Sequence, residues 1–166
     1  MNLNLKSKKG NVVSDSIAFL VVMFVFALAV IIGKFVYSTV DTEVQATMPV
    51  NSLAANISSN LNSRYVSIFD SGFLFVFFIL WIAVIVASFS IDTHPWFFGI
   101  ILIILLFLLV VAAYLGNVYE TVSTSSTLSS TATQFTLTNF IMNHIFEVFM
   151  VVSFTIAIAL YMKGRA

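Results

Sequence analysis

The sequence predicts an all-α integral membrane protein: a four-helix bundle with both termini on one face and an additional amphipathic helix at the membrane interface. Three observations predict it. Hydrophobic residues are 60% of the 166 and charged residues only 8%, with a mean hydropathy of +1.07, whereas a soluble domain needs about a quarter of its residues charged. Four apolar runs, at 17–40, 73–91, 96–116 and 140–162, each hold about 18 or more residues, enough to cross a ~30 Å hydrocarbon layer at 1.5 Å per residue. Cationic residues gather at the two ends of the chain: Lys6, Lys8 and Lys9 precede the first run, and Lys163 and Arg165 follow the last. A chain of this length holds one domain. With no cysteine there is no disulfide and no thiolate chemistry, and with zero net charge and no basic face there is no electrostatic grip on nucleic acid.

The first run follows three lysines, as a signal peptide would. It continues past the usual 7–15 apolar residues without a small-residue cleavage site, so it is expected to be a retained helix. The basic ends of spans one and four are expected to face the cytoplasm by the positive-inside rule, and an even number of spans returns the chain to that face.

Between spans one and two, Leu53, Ile57, Leu61, Tyr65 and Ile68 recur at helical spacing among Asn56, Ser58, Ser59, Asn60, Asn62, Ser63 and Arg64. This pattern predicts an amphipathic helix over 50–69, lying on the membrane surface or folded over the bundle. Asp70-Ser71-Gly72 then restarts the chain into span two. The Asn56-Ile57-Ser58 sequon carries little weight.

Spans two and three are joined by Asp92-Thr93-His94-Pro95, which makes them antiparallel neighbours. Pro95 suits the first helical position, Thr93 or His94 can cap, and Trp96 sits where an interfacial anchor belongs. Ser and Thr dominate residues 121–138, a low-complexity loop with almost no charge. Small residues spaced four apart (Ala29 and Gly33, Ala83 and Ala87, Ala112 and Gly116, Ser153 and Ala157) allow close helix approach.

Ionisable groups inside spans are costly and point to function. Lys34 in span one and Glu147 in span four fall at similar depth by helical rise, and His144 shares a helix face with Glu147. These three residues are the candidate intramembrane polar cluster, expected to face one another or a shared pocket. As a relay they would carry protons or ions; as structure they would pair near the headgroups, with Lys34 snorkelling outward. No catalytic, cofactor-binding or metal-ligating set is expected, because spans two and three offer no paired polar groups at working depth.

Three further stretches carry a resemblance: Ser-Ile-Asp-Thr-His-Pro-Trp-Phe at 90–97, Ala-Ala-Tyr-Leu-Gly-Asn-Val-Tyr-Glu at 112–120 and Gln-Phe-Thr-Leu-Thr-Asn-Phe-Ile-Met at 134–142. In this arrangement residues 85–162 resemble small multi-span proteins of tailless double-stranded DNA phages with an internal membrane, of the corticovirus and autolykivirus kind. The resemblance implies a non-enzymatic structural protein of the virion membrane, resident in the host cytoplasmic membrane before assembly. Its partners would be lipid, capsid or other virion membrane proteins, and further copies of itself. Lys6, Lys8, Lys9, Lys163 and Arg165 would then face the capsid. The alternatives are a small channel or transporter built on Lys34, His144 and Glu147, or a holin-like lysis protein.

Overall fold

A computed structural model describes residues 12–49, 52–89 and 95–163, with the side chains of 95–97 excepted. The architecture is an all-α bundle: α1 (Val12–Thr47), α2 (Leu53–Phe89), α3 (Pro95–Ser123), two short helices α4 (Ser129–Ala132) and α5 (Thr136–Asn143), and α6 (Ile145–Lys163). Four of these, α1, α2, α3 and α6, are long and apolar enough to cross a membrane, and the protein is a membrane protein on that evidence. Lys6, Lys8, Lys9 and Arg165 lie outside the described residues, as does the Asp92-Thr93-His94 link. Pro95 is the first residue of α3, as its missing N–H requires.

The first two helices are much longer than their apolar runs. At helical rise α1 and α2 each measure roughly 54 Å, nearly twice the hydrocarbon thickness. Pro49 stops α1, since the residue before a proline is pushed out of helical conformation. Ser52 starts α2, its Oγ accepting from the Ala55 N–H at 3.3 Å in an N-cap bond. Between them Ser52 N–H bonds the Pro49 carbonyl at 3.0 Å, closing a tight antiparallel hairpin.

Two expectations change here. The amphipathic segment is not a separate helix: α2 runs unbroken from Leu53 through Asp70, Ser71 and Gly72 into the second span. Of its apolar stripe only Tyr65 folds over the bundle, half-buried with its ring 6.1 Å from Tyr37 and 6.4 Å from Phe135. Leu53, Ile57, Leu61 and Ile68 point outward, and the polar side of the segment packs on α1. The fourth span is also divided. His144 leaves helical geometry (φ −111°, ψ 25°), and its own Nδ1 lies 2.9 Å from the Phe140 carbonyl, which competes locally with the helix ladder.

The core of the lower bundle is aromatic. Phe19 of α1 meets Phe77 of α2 edge-on at 5.9 Å between centroids and Phe149 of α6 at 6.1 Å. Phe26 and Phe73 stack in parallel planes at 6.0 Å. Phe19, Phe73 and Phe149 are completely buried. Trp81 Nε1 donates to Thr155 Oγ1 at 3.1 Å, holding α2 to α6. Gly116 brings α3 against the α5–α6 junction: a Cβ there would lie 3.0 Å from Ile145 Cγ2. Lipid is as apolar as these side chains, so close packing of this kind, with few interhelical hydrogen bonds, is what holds the spans together.

Candidate functional site

Two polar networks tie buried charges of the described helices to their neighbours. The first runs along the α1–α2 seam. Lys34 is 7% exposed, and its Nζ donates to the Asn62 carbonyl at 2.8 Å and to Asn62 Oδ1. The same amide gives its Nδ2–H to Asp41 Oδ2 at 2.7 Å. Asn62 is therefore a neutral bridge, oxygen toward the cation and nitrogen toward the anion, and a flip of the amide would set like dipoles against both charges. Asp41 also accepts from Ser58 Oγ at 2.6 Å and from Gln45 Nε2 at 3.3 Å. Gln45 donates to the Ala55 carbonyl at 2.8 Å. On α1 these residues are seven and four apart (Lys34, Asp41, Gln45), and on α2 four apart (Ser58, Asn62), so each set lies on one helix face.

The second network joins the hairpin to the end of the chain. Asp70, 8% exposed on α2, accepts from the backbone N–H groups of Leu137 (3.0 Å) and Thr138 (2.8 Å) and from Thr138 Oγ1 (2.8 Å). These are the free N–H groups at the start of α5, whose own N-cap position, Phe135, supplies no side-chain bond. An aspartate on another helix thus does the work of a cap and sets its negative charge against the positive end of the α5 dipole. Beside it Tyr119, fully buried on α3, donates its hydroxyl to Asn139 Oδ1, and Asn139 Nδ2 donates to the Ala132 carbonyl at 2.6 Å. The Ser/Thr-rich connection is in this way folded and tied to three helices.

The expected cluster of Lys34, His144 and Glu147 does not assemble. Lys34 is committed to Asn62 between α1 and α2, whereas His144 and Glu147 are exposed on the outer side of the α5–α6 junction. The His144 ring lies against Phe140, centroids 4.9 Å apart. Counting from the span ends set Lys34 and Glu147 at similar depth, but Phe19 meets Phe149, so Glu147 lies within a turn of that level while Lys34 lies roughly 22 Å beyond it at helical rise. Lys163 closes α6 as its basic last-turn residue. Among the described residues, no group of three or more His, Cys, Asp or Glu converges as metal ligands would.

Sequence reasoning missed Asp41, Asn62, Asp70 and Tyr119. The signal for the first two was present: Ser58 and Asn62 lie four apart along one edge of the apolar stripe, three residues before Leu61 and Tyr65, which marks a polar strip able to receive Lys34 and Asp41. For Asp70 there was none, because its partners are 67 and 68 positions away. Comparison with protein-family models, with curated proteins and with solved structures finds no match.

Proposed function

We propose that this chain is a non-enzymatic structural protein of a lipid bilayer, and that the bilayer is the internal membrane of a virion. The observation that supports the structural role is how the buried charges are used. Lys34, Asp41 and Asp70 are all spent fastening one helix to another, while bulky apolar side chains such as Phe75, Leu106, Phe107 and Phe154 cover the outside. That is the economy of a rigid lipid-embedded scaffold. The resemblance over residues 85–162 extends this to the vesicle beneath an icosahedral capsid. In that setting Lys6, Lys8, Lys9, Lys163 and Arg165 face the shell, and the α1–α2 hairpin, which continues about 25 Å from Asp70 to Leu53 at helical rise, faces the vesicle interior without gripping the genome.

A channel or transporter would need Lys34, His144 and Glu147 along one path, and their placement on separate faces speaks against it. The deciding experiment is cryo-electron microscopy of lipid-containing particles that incorporate the chain. The expected density is four spans in a curved bilayer with the basic ends toward the shell. Recovery of the chain only in flat cell membranes, together with ion flux through purified protein in liposomes, would overturn the proposal in favour of a conducting protein.

A further inference from the structure

The rims of the apolar surface are not level around the bundle. Contacts between helices align their heights: Phe19 of α1 meets Phe77 of α2 and Phe149 of α6, and Gly116 of α3 lies against Ile145 of α6. Toward the chain ends, α6 closes at Lys163, roughly 21 Å below the Phe19 level at helical rise. There α1 closes at exposed Ser14 and half-buried Asp15, just before exposed Ile17 and only roughly 6–8 Å below that level. Toward the hairpin, exposed Asn117 and Glu120 close α3 roughly 8–12 Å above the same level. The exposed stripe of Val21, Val25, Ile32 and Val36 carries α1 on to roughly 26 Å. On α2, which packs on both α1 and α6, the change from exposed Ile68 to exposed Arg64 falls between, at roughly 14–20 Å.

Both rims therefore climb by roughly 14 Å from the α3–α6 side to α1. Two rims displaced together describe an inclined band, not a taller one. From Asp15 to Val36 the band measures roughly 32 Å along the helix, and from Lys163 to Glu120 roughly 33 Å. The upper part of the α1 stripe is continuous with the lipid-facing side of its own span, with no charged residue on that face between them. Lys34 supports the same placement. It lies just short of Val36, yet it is turned away from the stripe into the seam, where Asn62 receives it. A lysine standing in water keeps its hydration by extending outward. One at a lipid-covered level has only the seam behind it to turn to.

We propose that the bundle crosses its bilayer leaning toward α1, with acyl chains covering α1 as far as Val36 while headgroups meet α3 at Glu120. A climb of roughly 14 Å across a bundle roughly 20 Å wide is a tilt of about 35°, inside the range of about 0–40° found for spanning helices. That tilt foreshortens the band to roughly 26 Å, within a few ångströms of the hydrocarbon thickness. The lean requires a bilayer but no capsid and no other protein. The test therefore uses purified full-length protein in phosphatidylcholine bilayers, where the virion reading is not at stake.

The chain has no cysteine, and Val36, Phe107 and Leu53 are all exposed, so a nitroxide on a single cysteine at each leaves the packing intact. Val36→Cys is expected to match Phe107→Cys on the lipid face of α3, readily broadened by oxygen and shielded from a water-soluble nickel chelate. Leu53→Cys, near the hairpin turn, should be open to the chelate. Infrared dichroism of aligned bilayers should give a mean helix tilt of roughly 35°, against an average of about 20° for spanning helices. Chelate access at Val36→Cys equal to that at Leu53→Cys would put this part of α1 in water and overturn the proposal. Shielding of Val36→Cys from oxygen and chelate alike would put another protein on the face and overturn it equally. A mean tilt at or below the average would do the same.

Discussion

Two stretches of the same helix pair are held together by opposite chemistries. Where α1 and α2 run beside α6, their contact is aromatic and dry: Phe19 on Phe77 and Phe26 on Phe73. Farther along the same hairpin the contact is polar, Lys34 to Asn62 to Asp41 to Ser58, with Leu53, Ile57 and Leu61 turned outward. The dry stretch gains from shape and loses by cavity formation; the polar stretch gains from direction and loses by stranding a charge. A continuous helix therefore need not have a continuous reason for its packing. The polar seam also fixes register in a way that sliding aromatic surfaces do not, because Asn62 meets both its partners only at one alignment.

Substitutions that attack each stretch separately should break the comparison in order of size. Phe19→Ala removes a ring shared by three helices and should cost about 3–5 kcal/mol, read as lowered resistance to unfolding in detergent. Asp70→Ala leaves the Leu137 and Thr138 N–H groups without an acceptor. A loss of about 2–3 kcal/mol is expected, with hydrogen exchange rising across α5 first and Asp70→Asn recovering part of it. Asn62→Ala separates Lys34 from Asp41 and should cost about 1–3 kcal/mol. Its signature is local: exchange should quicken over residues 34–62 while the amides around Phe19 and Phe77 stay protected. Glu147→Gln should fall within about 0.5 kcal/mol of the parent, since its carboxylate is exposed. A large loss there would mean that Glu147 has a partner in the assembled protein, and would redraw the outer face of α6.

Much of this molecule was legible in its sequence, and the exceptions have physical causes. The four spans follow from runs of apolar residues, a local property, and Pro95 at the head of α3 follows from a missing N–H. The amphipathic stripe over 50–69 was also legible, but its direction was not. Periodicity gives faces without saying which one is inside, and here Lys34 and Asp41 on α1 draw in the strip of Ser58 and Asn62, with Tyr65 beside it, while Leu53, Ile57 and Leu61 stay outside. The continuation of α2 through Ser71 and Gly72 was hidden for a related reason. A glycine weakens a helix by only about 1 kcal/mol, which packing along both sides of α2 easily exceeds. The grouping of Lys34 with Glu147 failed because their depths were counted from the ends of the apolar runs, whereas the contact of Phe19 with Phe149 shows α6 shifted along α1, an alignment that depends on packing and not on run length.

The bond from Asp70 to the start of α5 has a consequence for how the protein is made. Spans enter a bilayer in the order of synthesis, and α2 arrives with its carboxylate well before Leu137 and Thr138 exist to meet it. Until then the acid must find water or headgroups, which holds that level of α2 near the membrane surface. Only when the last third of the chain has been threaded can the aspartate be covered. The fastening thus works as a latch that closes last, and a nascent chain cut short before Thr138 would be left with a charge that no remaining part of it can hide.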